Sequence, residues 1–424
     1  MEPINVLLLG AGSRGMYAYA EYARNNPKMM RIAAVAEPNE VKRKKIQADH
    51  HIPDSLAFAA WEQAFDKLPD IDGVIIATQD KQHVGPLSRA MARNLPILCE
   101  KPIVPTLEEC RAIEKESASF TKVFMICHVL KYTSFFSKIK ELLDAGRIGR
   151  LIGINLIENV GHLHLSHSFV RGNWRNLAES SPMILAKSCH DMDMLHWLAG
   201  APCESLSSYG ALHYFNAENA PPGAPSRCLD GCPHLTSCPY HVSKIYLTDY
   251  VGWPANVIST DLSIEGRLKA LETGPYGRCV FHCDNDVVDH QTVAIQFTNG
   301  VSANFTMSGF TMEIHRNITL FGTEGEIVGD MEEAQITIKE FSSRNVELIK
   351  LAAPIGGHSG GDVNLVSDFV RSIRDQKNAA RTSVKDSFES HYMAFAAEYS
   401  RLNKARTIKL EDFKAARLET GGAD

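Results

Sequence analysis

Three groups of residues in this chain have types and spacings that could do chemistry. The first is Gly10-Ala11-Gly12-Ser13-Arg14-Gly15, which follows the apolar run Ile4-Asn5-Val6-Leu7-Leu8-Leu9. Glycines so spaced let a backbone turn tightly and approach a pyrophosphate, whose charge is met by the N–H groups that open the next helix. Gly10 suits the tight turn, Gly12 the close approach, and Gly15 the packing of helix on strand. Glu37 ends the next apolar run, Arg31-Ile32-Ala33-Ala34-Val35-Ala36. A carboxylate about 20 residues past the glycines meets ribose hydroxyls and repels a 2′-phosphate, which favours NAD over NADP. Lys42 and Arg43 nearby pull the other way.

The second group is Lys101 and His190. Lys101 follows the run Pro96-Ile97-Leu98-Cys99 and precedes Pro102, which stiffens the turn. It is placed to hydrogen-bond an alcohol oxygen, or else is a solvated turn residue. His190 begins a stretch with Met194 and Trp197 at helical spacing. Imidazole accepts an alcohol proton near neutral pH without large tuning, and the alternative is a core or capping histidine. Asp193 lies three residues on, on the same helical face, where it could orient the ring or pair with Lys187. The histidine-rich segment from Glu158 to His167 carries His164 and His167, with Arg171, Trp174 and Arg175 close behind. It reads as the lining of a sugar pocket, with an aromatic face for a ring and polar groups for hydroxyls, or as a solvated loop.

The third group is a run of cysteines in an irregular segment: Cys228, Cys232 and Cys238, with Cys279 and Cys283 some way on. Thiolates gathered there suit a structural tetrahedral zinc, with an iron–sulfur cluster as the lesser alternative and free thiols as the bland one. Cys283 is the expected fourth ligand, and Cys279, His234 or His241 are the alternatives. A glycine-rich stretch at 356–362 has the composition of a mobile lid.

These residues need elements to position them. Strand and helix alternate up to residue 127, with further strands at 72–77, 96–99 and 123–126, which predicts a doubly wound parallel sheet. Ligands bind beyond the carboxyl ends of such strands, where Gly10, Thr78 and Lys101 would gather. From 128 to 424 the texture changes. Strand-like runs at 151–155, 293–297, 302–307 and 318–321, with helices at 135–145, 363–373 and 387–402, predict an α+β domain with a cysteine-containing insert at about 210–290.

With 424 residues there is ample material for two cores, and 44% hydrophobic with 22% charged residues is globular composition. A formal charge of −6 without basic blocks argues against nucleic-acid and anionic-membrane partners. No apolar stretch approaches the about 18 residues of a membrane span. With no signal peptide at the start, ten cysteines are expected to be reduced or metal-bound, in the cytoplasm.

The chain resembles the Gfo/Idh/MocA family of oxidoreductases over nearly its whole length. The marks are residues 10–15, Glu37, Ala77-Thr78 with His83, Glu100-Lys101-Pro102, Asn173-Trp174-Arg175, and Ala186-Lys187-Ser188-Cys189-His190-Asp191-Met192-Asp193. The resemblance implies a Rossmann domain and an open-faced sheet domain of a kind that often forms dimers or tetramers. It also implies hydride transfer between NAD(P) and a ring hydroxyl of a sugar or cyclitol. Ser13, Arg14, Thr78, His83, Glu100 and Lys101 would join the glycines and Glu37 around the cofactor, with Lys101, Lys187 and His190 at the reacting hydroxyl. Many relatives carry an Asp four residues before that histidine, where this chain has Ala186 followed by Lys187. A cation at Lys187 could bind a substrate carboxylate or phosphate, and the base stays open among Lys101, Lys187 and His190. The runner-up activity is a hydrolase or lyase with tightly bound NAD that oxidises a sugar transiently. A non-catalytic NAD-binding regulator is a third reading.

Overall fold

Apolar runs without alternation become central strands here because helices cover both of their faces. The computed structural model describes residues 2–67, 70–352, 360–375 and 381–416, so most of the glycine-rich stretch at 356–362 lies outside the described residues. β1 (Ile4–Leu9), β2 (Met30–Ala36), β3 (Ala57–Phe58), β4 (Gly73–Ile76), β5 (Ile97–Cys99) and β6 (Phe124–Ile126) form one sheet. Its order is β3-β2-β1-β4-β5-β6 and every pairing is parallel. The direction of winding reverses between β1 and β4, which opens a crevice at their carboxyl ends.

The second sheet has nine strands: β7 (Leu151–Asn159), β8 (Cys203–Ala211), β9 (His290–Phe297), β10 (Ser302–Ser308), β11 (His315–Gly322), β12 (Gly325–Asp330), β13 (Gln335–Glu340), β14 (Val346–Lys350) and β15 (Ile408–Lys409). Its order is β14-β13-β12-β11-β7-β10-β9-β8-β15, with β7 and β10 parallel and the remaining pairs antiparallel. Burial alternates along β9, β10 and β11 because one face packs on helices and the other is open. The sheet is larger than the apolar runs predict. β8 is rich in serine, and β14 is an edge strand with no buried position, so neither carries a strong local hydrophobic signal.

The two sheets meet at the helix Val384–Leu402, which packs on β8, on β6 and on the helix Leu107–Ser117. The helix Gly361–Asp375 packs on the parallel sheet, where Leu365, Val366, Phe369 and Val370 share a core with Val6, Leu8 and Ile32. At the seam, His391 Nε2 accepts from Ile103 N (2.8 Å) while its Nδ1 donates to Ser387 O (2.7 Å), which fixes a neutral tautomer. His128 is fully buried and makes T-shaped contacts with the rings of His391 and His190. Burial, and then His128, pushes His391 down to about 3; burial, and then Lys131, pushes His128 well below its ordinary value.

A histidine held neutral in the folded state contributes stability that is present above its unfolded pKa near 6.5 and is lost as pH falls below it. Lowering pH from 7.5 to 5.5 should therefore cost roughly 1 kcal/mol for a ring held neutral in this way. Asp191, whose carboxyl burial pushes up to about 6, takes up a proton in the folded state over the same interval and offsets part of this. The urea midpoint should drop over that interval, and His391→Gln should flatten the drop. A His391→Gln protein whose midpoint falls as steeply as that of the wild type would mean that this ring titrates as in water.

Candidate active site

The crevice between β1 and β4 is built by the glycine turn. Gly10 has φ of +88°, and a Cβ there would collide with the carbonyl of Ala77 at the end of β4. A Cβ on Gly15 would strike the Gly10 carbonyl, whereas one on Gly12 would meet nothing within 4 Å. Gly10 and Gly15 are thus required by packing, while Gly12 faces open space of the kind a phosphate needs. Ser13 is exposed at the start of the following helix, in which Met16 N bonds to Gly12 O and residues Gly15–Ala20 take a π-helical form. Glu37, buried at the end of β2, accepts from Ala11 N (2.6 Å) and Asn39 N (2.9 Å). Its carboxylate is pinned beside the turn with lone pairs left for a ribose.

Arg14 faces inward. Its Nε donates to Glu100 (2.6 Å) and its two terminal nitrogens to Asp362 (2.9 and 2.7 Å), which links the glycine turn, the end of β5 and the helix Gly361–Asp375. Burial alone would raise the Glu100 carboxyl, but Arg14 and Tyr19 hold it below its ordinary value. Glu100 also accepts from Lys101 N (3.1 Å). His83 is fully buried: Nδ1 lies 2.9 Å from Pro102 O and 3.1 Å from Ile103 O, and Nε2 lies 3.2 Å from Thr78 O. It therefore braces the Thr78 and Lys101 loops against each other from behind.

Lys101 brings the two sheets' machinery together. Its Nζ donates to the Ala186 carbonyl (2.6 Å), four residues before His190. His190 sits in the first turn of the helix Cys189–Ala199, 8% exposed, with its ring 5.6 Å from that of His128. The charge of Lys101 is felt at Cys189, His128 and His164, so these groups surround one spot. Lys187 Nζ pairs with Glu158 (2.8 Å), and Arg316 Nε reaches both Glu158 (2.5 Å) and Asp191 (3.0 Å). Burial lowers the Lys187 ammonium despite Glu158, and burial pushes the Asp191 carboxyl up to about 6 against Arg316. The charge of Lys187 is thus matched within the protein rather than held for a substrate anion. Asp193 does not pair with Lys187; it binds Lys131 (2.9 Å) in a second buried ion pair, because it points from the helix toward the turn after β6.

The histidine-rich segment is helical, not a loop: His162–His164 runs into π-helical turns at Leu165–Arg171, all seven of them buried. Aromatic residues of the insert enclose it. His167 stacks on Tyr276 (4.6 Å between centroids), takes a hydrogen-bond contact to Tyr246 OH (2.9 Å), and meets Trp253, as does His164. Burial, then Arg171, lowers His167 to about 3; burial, then Lys187, keeps His164 neutral. Trp174 Nε1 donates to Asp80 (3.2 Å), tying this wall to the end of β4, and Arg175 is engaged by Asp284 and Glu179. Arg316 and Lys131 carried no mark in the sequence, nor did the ion pairs of Glu158, since an isolated charge in a strand or turn gives no signal of its partner.

The cysteine set also changes. Cys228, Cys232, Cys238 and Cys279 line one pocket, whereas Cys283 Sγ turns back to the Cys279 carbonyl (3.2 Å). Among the described residues no three of these thiols lie within 4.8 Å of one another, so the expected tetrahedral zinc has no site; His315, Asp330 and Glu332 do converge so closely, on the surface. Among the described residues no helix is long and apolar enough to cross a membrane.

Comparison with known proteins agrees with this layout. Residues 4–128 match the family described as "Oxidoreductase family, NAD-binding Rossmann fold", and residues 140–412 match "Oxidoreductase family, C-terminal alpha/beta domain". YteT of Bacillus subtilis is 26% identical over 353 residues, 78% of each chain. Inositol 2-dehydrogenase of Streptomyces avermitilis is 29% identical over 229 residues, 52% of this chain and 59% of that protein. The fold resembles that of a levoglucosan dehydrogenase solved with NADH and L-sorbose, with a TM-score of 0.73, 18% identity, and coverage of 97% and 99% of the two chains.

Gly12→Ala should leave stability within about 0.5 kcal/mol while weakening NAD binding about tenfold or more. Gly15→Ala should cost about 2 kcal/mol in stability, because a backbone carbonyl must move. Thermal melts with calorimetric NAD titration separate the two, and equal effects on both quantities would contradict the assignment of Gly12 to the phosphate. Glu37→Ala should weaken NAD and relax discrimination against NADP; an unchanged preference would remove Glu37 from the ribose.

Proposed function

Because this chain belongs to the Gfo/Idh/MocA oxidoreductase family, we propose that it transfers a hydride between NAD and a ring hydroxyl of a sugar, cyclitol or derivative. The observation that carries this reading is the reach of Lys101 from the end of β5 to the Ala186 carbonyl, which sets its ammonium beside the His190 turn. The residues around the glycine turn fit NAD: an open approach at Gly12, a helix start at Ser13 and the Glu37 carboxylate. Bound there, NAD would supply the hydride-accepting ring.

The chain's own residues supply binding and proton transfer. Lys101 keeps N–H donors beyond the one given to Ala186, and directs one at the reacting oxygen, where negative charge develops. His190 accepts the hydroxyl proton. Lys187, fixed on Glu158, keeps the turn before His190 in place. His164, neutral in the same pocket, offers a ring nitrogen to a sugar hydroxyl, and Trp174 backs the wall. Dehydrogenases among the relatives and neighbours support net oxidation over the hydrolase or lyase reading. Ile152, Ile157 and Tyr209 on the open face of the second sheet support a homodimer or homotetramer through that face.

NADH should accumulate when purified protein and NAD are offered the right member of a panel of sugars and cyclitols. Lys101→Ala and His190→Ala should each lower kcat/KM by about 100-fold or more, with NAD binding retained in the His190 variant. Wild-type rates in either variant would strike that residue from the site. Glycoside cleavage without NADH accumulation would replace the dehydrogenase reading with the recycling one.

A further inference from the structure

The segment between β8 and β9 is 78 residues of short helices and turns whose own apolar cluster is small: Cys228, Val242, Ile245, Tyr246 and Leu271, with a few partly buried neighbours. The insert also sends Phe215, Tyr240, Val280, Phe281, Val287 and Val288 into the main core, and irregular units of this kind often add a covalent or metal staple as well. All ten cysteines are free, so no disulfide provides it.

Four thiols converge instead. Cys228, Cys232, Cys238 and Cys279 line a single pocket, and the strands of chain that carry them are tied together by Cys279 N to Ser226 O (2.8 Å) and Cys228 N to Gly277 O (3.1 Å). Two details bear on what the pocket takes. A tetrahedral zinc, with bonds of about 2.3 Å, draws its thiolates to within about 3.8 Å of one another. Here no three of the thiols come within 4.8 Å among the described residues. A polynuclear centre holds its thiolates further apart because metal and sulfide atoms stand between them. The second detail is Arg171, wholly buried against the same pocket. Its Nε and one terminal nitrogen donate to the carbonyls of Arg278 and Tyr240 (2.7 Å each), and that same terminal nitrogen lies 3.8 Å from Cys228 Sγ. Its other terminal nitrogen is buried with no partner. A buried cation with a spare donor is costly alone and is matched by an anionic, sulfur-rich group. Proline directly follows Cys232 and Cys238, as it follows the last cysteine of the bacterial ferredoxin run.

We propose that Cys228, Cys232, Cys238 and Cys279 bind an iron–sulfur cluster, with Arg171 facing it. The cluster has a structural duty. It fastens the insert to the segment Leu165–Arg171, whose His167 is held by the insert's Tyr246 and Tyr276, and so fixes the substrate-side wall. Cys283 is outside the set.

The test uses the full chain purified without oxygen, assayed for iron, acid-labile sulfide and zinc, with the visible spectrum recorded. Iron and sulfide in equal amounts, about four of each per chain, together with broad visible absorption, is the expected result. Cys228→Ser and Cys279→Ser should lose both, and Cys283→Ser should keep both. NAD binding, which involves the other sheet, reports separately whether each variant folds. One zinc per chain without sulfide, or metal-free thiols even after incubation with ferrous iron and sulfide, overturns the proposal. So does a Cys283→Ser protein as depleted as Cys279→Ser. Because the wild-type analysis decides the matter alone, variants that fail to fold leave it testable.

Discussion

The helix Cys189–Ala199 carries two carboxylates into the protein interior, and much of the site depends on how they are neutralised. Asp191 meets Arg316 from β11, and Asp193 meets Lys131 from the turn after β6. Each charge is out of water, so removing a single partner would cost about 3–5 kcal/mol. The pairs pull in different directions, one toward the open-faced sheet and the other toward the parallel sheet, and the helix is held between them. His190 rides on its first turn. A shared ion, Glu158, extends the first pair to Lys187, so the turn that precedes His190 is locked by the same set of charges.

A comparable arrangement stands on the cofactor side. Arg14 could have faced the crevice as a phosphate ligand, yet its guanidinium is spent on Glu100 and Asp362. The glycine turn is thereby anchored to the Lys101 loop and to a helix from far along the chain. Glu37 grips the turn through Ala11 N, and His83 braces the Thr78 and Lys101 loops from beneath. The open crevice is bounded by backbone held rigidly from behind, which is the condition for binding a dinucleotide without reorganising the site.

Much of this was legible from sequence where the signal is local. The parallel strands announce themselves as short unbroken apolar runs, and Gly10 and Gly15 as residues with no room for a side chain. Lys101 and His190 belong near one another by family resemblance, and the Lys101 contact to Ala186 fits that expectation. Less was legible where the hydrophobic signal is weak: the serine-rich β8, the half-exposed β14, and the helical form of Leu165–Arg171, whose burial is supplied by aromatics about 80 to 110 positions later.

The sequence by itself determined what neighbouring residues decide among themselves: strand, turn and helix, the glycine geometry, and the presence of a cofactor-type crevice. Periodicity and turn chemistry are properties of a few consecutive residues, so they survive without any knowledge of the fold. Tertiary structure alone decided the pairings. That Lys187 answers Glu158, that Asp193 answers Lys131, and that Cys279 rather than Cys283 faces the other thiols depends on which segments come to lie side by side. Coulomb and hydrogen-bond energies act over a few ångströms of space, and separation along the chain carries no record of that distance.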